Sequence, residues 1–202
     1  TIVDAGILQM NNTTGSAVGS GSVLVNVNGT LGGTGSTTSS VNVFGTLAPG
    51  ASTESLAIGS LTMQSGSIFD VELGGTTAGA AVNGYDQLNV TGTVNLNDAT
   101  LDVSTLSFDP AFGDSFFILT NDSTDAINGI FAGLTNDSQF SSGGKSFRIR
   151  YNVDFATMNL EIGSGNDIAL IVMAVPEPSS LLLLFGLVGT SVLRRRKVRT
   201  VA

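Results

Sequence analysis

Catalysis needs a positioned acid, base or nucleophile, and this chain offers few. Histidine, cysteine and tryptophan are all absent. That removes the imidazole base and ligand, the thiolate nucleophile, any disulfide and any thiolate metal site. Carboxylates remain, in the sequence pairs Asp70 with Glu72, Asp98 with Asp102, and Asp122 with Asp125. Two carboxylates are the equipment of a glycosidase. Asp70 and Glu72, however, sit two residues apart among Phe69, Val71 and Leu73, a spacing that puts the acids on the solvated face of a strand and the apolar residues on the other. A polysaccharide lyase would need a base, and the only cations before Val175 are Lys145, Arg148 and Arg150. The two arginines alternate with Phe147, Ile149 and Tyr151, again as the solvated face of a strand.

Asn121, Asp122, Asp125 and Asn128 offer hard oxygens suited to calcium, but not at the spacing of an acidic calcium loop, and turn formation is the expectation. Gly32 to Gly35 lacks the lysine and the following helix that hold a phosphate. The residues therefore predict no catalytic site, no metal site and no cofactor.

The elements that carry these residues read as strands. Val23 and Val25 alternate with Leu24 and Asn26, Ile68 to Leu73 alternates throughout, and Leu88 and Val90 lead to Val94 and Leu96. Alternation of period two marks half-buried strands, and glycine interrupts every candidate helical stripe before residue 180. A short motif recurs at Gly29-Thr30-Leu31, Gly45-Thr46-Leu47, Gly59-Ser60-Leu61 and Gly92-Thr93-Val94. Its spacing predicts a strand-and-turn unit every 14 to 17 residues, with glycine supplying a positive φ at each corner. After Leu119 the pattern loosens, and FRIRYNVDF, MNLEIG and DIALIVMA predict antiparallel cap strands. The body is thus expected to be all-β, with the repeat suiting either a solenoid or an antiparallel sheet with regular turns, and with antiparallel cap strands; a β-sandwich is the alternative.

Charge divides the chain. Up to Val175 there are fifteen acidic residues against three basic ones, whereas Pro176 to Ala202 carries one acid and five cations. So acidic a body disfavours nucleic acid, which rewards neutralising cations. The C-terminal part runs through three physically different segments. Val175, Pro176, Glu177 and Pro178 make an extended stretch in which two backbone donors are missing. Leu181 to Leu193 (LLLLFGLVGTSVL, with Leu181, Leu182, Leu183, Leu184, Phe185, Gly186, Leu187, Val188, Gly189 and Leu193) carries no charge. From Ser179 onward this helix would be roughly 22 Å long, short of the ~30 Å hydrocarbon core. It predicts a weakly held transmembrane helix, with a buried core helix as the alternative. Arg194, Arg195, Arg196, Lys197 and Arg199 then form a cluster that stays cytoplasmic by the positive-inside rule. The expected layout is an extracytoplasmic domain (1–174), a linker (175–180), a span (181–193) and a basic tail (194–202).

The order of motif, span and cations resembles the PEP-CTERM sorting signal of Gram-negative bacteria, with Pro176, Glu177 and Pro178 as the naming motif. The resemblance implies an exosortase-type membrane peptidase as partner, transient residence in the bacterial inner membrane, and release to the cell surface or extracellular matrix. Gly45 to Leu119, with GTLAPGAS, SLAIGSLTMQSGSIFDVELGG, YDQLNVTGTVNLNDATLDV and FGDSFFILTN, resembles the β-helical passenger regions of autotransporters, and the resemblance implies a short right-handed parallel β-helix, with the antiparallel strands as its cap. The expected function is that of a non-enzymatic surface or matrix protein with a structural or adhesive role. The alternative is a module that binds or processes exopolysaccharide, although the lack of tryptophan and the presence of only two tyrosines speak against an aromatic sugar platform.

Overall fold

A computed structural model describes residues 1–122 and 125–174. These residues build seventeen strands and no helix. In chain order the strands are β1 (Ile2–Gln9), β2 (Val23–Gly33), β3 (Ser40–Val43), β4 (Thr46–Pro49), β5 (Ser55–Ile58), β6 (Ser60–Met63), β7 (Ile68–Leu73), β8 (Thr77–Ala78) and β9 (Gly84–Tyr85). There follow β10 (Gln87–Val90), β11 (Val94–Asn95), β12 (Thr100–Thr105), β13 (Ser115–Thr120), β14 (Ile127–Asn128), β15 (Gln139–Ser142), β16 (Lys145–Val153) and β17 (Asp167–Met173).

Period-two alternation is what these strands have in common. From β4 to β6 every second residue is buried, and in β7 Phe69, Val71 and Leu73 face inward as the alternation predicts. Parallel pairing then sets like residues side by side. Val23, Val41, Leu61 and Val94 form one ladder across β2, β3, β6 and β11, and Leu31, Leu47 and Phe69 form another across β2, β4 and β7. Leu56, Leu88 and Leu119 form a third in the other sheet. Because facing ladders bury one another, residues from both sheets share one large apolar core, beside which Phe117, Val153 and Ala169 form a small second cluster. Burying each such side chain stabilises the fold by about 1.5–3 kcal/mol before conformational entropy is subtracted.

The expected parallel β-helix is not what forms. The strands fall into two mixed sheets, one of eleven strands and one of six. The larger is a continuous, curled half-barrel. Its long strand β2 pairs through Val23–Val25 with β3 and through Thr30–Gly33 with β4, so the sheet bends along that strand, and β9 joins β7 antiparallel. In the smaller sheet β5, β10 and β13 are parallel, while β17, β16 and β15 continue antiparallel. Nor do the strands stack at one repeating interval. Leu31 pairs with Leu47, Leu47 with Phe69, and Leu56 with Leu88. Alternation and regular glycines specify strands and turns but not which strand lies beside which, and the pairing is what separates these folds.

The recurring glycines also act differently from expectation. Gly29, Gly45, Gly59 and Gly92 do not lie in the left-handed region. They are required instead by close approach of neighbouring backbone or side-chain atoms. A Cβ on Gly45 would overlap the carbonyl oxygens of Gly29 and Asn26, one on Gly59 that of Thr38, and one on Gly92 the Ser60 hydroxyl. Of the predicted cap strands, FRIRYNVDF and DIALIVMA are found as β16 and β17. MNLEIG forms no strand: Met158, left-handed, and Asn159 end a turn closed by the Asp154–Asn159 bridge, and Glu161 to Gly163 enter a second turn.

No described helix is long and apolar enough to cross a membrane. The helix expected at 181–193 lies outside the described residues.

Candidate functional site

Two places bear on function: the strand that leads into the C-terminal segment, and the acidic cleft that holds the candidate carboxylates Asp70 and Glu72. The first is β17. It lies between β13 and β16, its Asp167 to Leu170 stretch is fully buried, and it ends at Met173. Ala174 is exposed, and Val175, Pro176, Glu177 and Pro178 follow directly. These four, the apolar residues from Leu181 to Leu193 and the cationic cluster from Arg194 to Arg199 all lie outside the described residues. What the fold establishes is that the segment begins from an internal, fully paired strand rather than from a loose linker.

The second place is a shallow cleft of about 180 Å³ beside β2, β4 and β7, lined in part by Asp70, Glu72 and Asp86. β7 presents Asp70 and Glu72 on its outer face, as the alternation predicts. Strand pairing then adds what spacing did not show: Asp102 of β12 is in register with Asp70. Burial, and secondarily the Asp102 charge, pushes the Asp70 carboxyl above its usual range; burial and then Asp70 do the same for Glu72. Asp98, the predicted companion of Asp102, occupies a left-handed turn before β12.

Asp86 is the residue that sequence reasoning missed. It is 2% exposed, and each of its carboxyl oxygens accepts a backbone N–H: Oδ1 from Glu54 at 3.1 Å and Oδ2 from Glu72 at 2.8 Å. Burial drives its pKa up to about 8, against the pull of those two hydrogen bonds, with Glu72 and Asp70 raising it further. Its neighbours work the same way. The Tyr85 hydroxyl accepts the Phe117 N–H at 3.1 Å, and Gln87 Nε2 donates to the Phe117 carbonyl at 2.9 Å. Tyr85-Asp86-Gln87 thus fastens the two sheets together, and both backbone groups of Phe117 are satisfied where the β13–β17 pairing slips.

Asp167 repeats the device, taking the N–H groups of Asn121 and Phe155 at 2.8 and 2.7 Å. In both cases the signal in the sequence is an aspartate at the entry to an apolar strand. With both oxygens committed to backbone donors, such a carboxylate acts as a fastener.

The remaining candidates do not converge on a reaction centre. Asn121 Nδ2 donates to the Asp125 carbonyl at 2.8 Å and its Oδ1 accepts the Asp122 N–H at 2.9 Å, so both polar atoms of this side chain are engaged by neighbouring backbone. Among the described residues no group of three acidic side chains is placed to hold a metal ion. Lys145 pairs with Asp109, and both Arg148 and Arg150 reach Asp137. Tyr85 and Tyr151 are buried, each hydroxyl accepting a backbone N–H, which removes both from any exposed sugar platform.

The raised carboxyls predict a direction for stability with pH. Between about pH 4 and pH 8 folded Asp86 holds a proton that the unfolded chain has released, so stability falls as pH rises through that window. Asp70, Glu72 and Asp167 are shifted the same way. Asp154, held low by the Thr157 hydroxyl, opposes them only below the ordinary carboxylate range. The melting temperature is expected to be higher at pH 5 than at pH 8. A melting temperature that rises toward pH 8 would contradict this use of Asp86.

The body is therefore an all-β domain whose last internal strand feeds a C-terminal segment. Within that segment, the family model of the PEP-CTERM protein-sorting motif matches residues 174–197. The motif points to an exported chain that an exosortase sorts to the cell surface. No curated protein and no solved structure matches the chain, so the autotransporter resemblance of the body has no support from either.

Proposed function

We propose that the chain is a non-enzymatic surface or extracellular-matrix protein with a structural or adhesive role, delivered by its C-terminal signal. In this reading Leu181 to Leu193 spans the bacterial inner membrane transiently and the cluster from Arg194 to Arg199 stays cytoplasmic. The exosortase cleaves at the Val175–Pro178 segment, leaving the acidic β-body outside. The observation that carries the reading is the sorting-motif match at residues 174–197, immediately after an internal strand. The use of the two most buried aspartates as backbone fasteners supports a scaffold role for the body.

Mass spectrometry of the secreted or surface-bound protein tests the delivery step. The expected product lacks everything after the Pro-Glu-Pro region, and an intact Arg194–Arg199 end would refute cleavage. For the body, no reducing-sugar release is expected from any bacterial polysaccharide; turnover would replace the scaffold reading with an enzymatic one.

A further inference from the structure

The loop that precedes β13 combines three features. Phe108 turns inward and meets Phe116 edge-on at 6.3 Å, while Phe112 at the tip is 73% exposed. The turn that carries Phe112 is rigidly built: Asp114 Oδ2 accepts the Ala111 N–H at 2.8 Å, Asp114 N donates to the Ala111 carbonyl at 3.0 Å, and Gly113 takes a left-handed φ of 91°. The turn is also tied to the end of β17, with Gly113 N donating to the Val172 carbonyl at 3.0 Å and Val172 N to the Asp114 carbonyl at 2.9 Å. The loop's other charge, Asp109, is paired with Lys145 at the start of β16. Leu106, 38% exposed, lies at the start of the same loop.

Phe112 is therefore held outward within a few residues of the point where the chain leaves the fold. From Ala174 to Leu181 an extended chain reaches at most about 25 Å. The end of β17 then stays within about 25 Å of the bilayer whenever the apolar segment is inserted.

We propose that the 106–113 loop is a membrane-seating surface, with Phe112 inserted at the boundary between headgroups and acyl chains of the bilayer that holds the precursor. The assignment rests on the membrane-span reading given above. An aromatic ring gains from the interface; Asp109 is charge-paired with Lys145 while its side chain stays 88% exposed, so in the seated loop it belongs at the level of the headgroups. Seating the loop fixes the height of the body over the membrane, and with it the position of the short Val175–Pro178 segment offered to the peptidase.

The chain contains no tryptophan, so a single one reports its own depth. The full chain carrying Phe112→Trp is reconstituted in phosphatidylethanolamine vesicles with brominated acyl chains. Its counterpart carries Ile162→Trp, at an exposed site in the turn between β16 and β17, at the opposite end of that hairpin. The Phe112→Trp chain is expected to lose most of its emission and to shift to the blue, with the Ile162→Trp chain unchanged. If both chains resist alkaline extraction and neither is quenched, the seating assignment is overturned while the span stands. If the chains wash off the vesicles, the span reading has failed and the seating assignment with it.

Discussion

Replacing Asp86 with alanine is expected to destabilise the body by about 3 kcal/mol, because it strands two buried donors at once. The N–H groups of Glu54 and Glu72 both donate to this carboxyl, and Asp86 is 2% exposed, so alanine there leaves both part-buried donors without it. Against a total stability of about 5–15 kcal/mol such a loss moves the urea midpoint far. Asp86→Asn keeps one acceptor and places an amide N–H₂ against the other donor. About half of the loss should return, and the fall in stability between pH 5 and pH 8 should flatten, since the amide does not titrate. Urea unfolding of the full chain measures both. A loss below about 1 kcal/mol in the alanine variant would mean that the two donors find other partners and that Asp86 is not a fastener.

Gly45→Ala is expected to cost about as much, by a different route. Its new methyl group would overlap two backbone carbonyls, those of Gly29 and Asn26, and backbone cannot swing aside as a long side chain does. Relief requires β2 and β4 to part where Thr30 pairs with Thr46, at a cost of about 3 kcal/mol. Gly66 is the informative control. It has a left-handed φ of 85° but open space around its Cβ position, so alanine there should cost only about 1 kcal/mol of backbone strain. Thermal melts of the two variants separate the explanations. A loss at Gly45 no larger than the loss at Gly66 would show that the backbone relaxes around the new methyl group and that close approach does not demand glycine there.

The two substitutions also mark where sequence reasoning stops. Alternation identified β7 and its outward acids, and the same rule placed β16, because burial on one face is imposed by each strand's own residues. The strand β17 was legible instead as a continuous apolar run, buried on both faces from Asp167 to Leu170. The repeat of Gly-Thr-Leu was visible too. Its meaning was not, since Gly29 and Gly45 are adjacent in the sheet while Gly45 and Gly59 begin strands that pair elsewhere. A motif repeated in sequence therefore did not define a repeated unit in space. The carboxylate cluster was half legible: Asp70 and Glu72 follow from spacing, whereas Asp102 and Asp86 join them only through pairing between distant strands.

Strand content, the lack of the usual catalytic side chains, the acidic body and the sorting motif at the C-terminus depend on residue type and local order, and are legible along the chain. Local order is what an alternating strand, or a run of Pro-Glu-Pro, apolar residues and arginines, consists of. Only the tertiary structure decided that the strands form two mixed sheets rather than a parallel β-helix, that Asp86 and Asp167 fasten backbone rather than face solvent, and that Phe112 stands beside the end of β17. Those facts depend on contacts between segments far apart in the chain. Such contacts are selected by the packing of the whole core and leave only faint traces in any one stretch of residues.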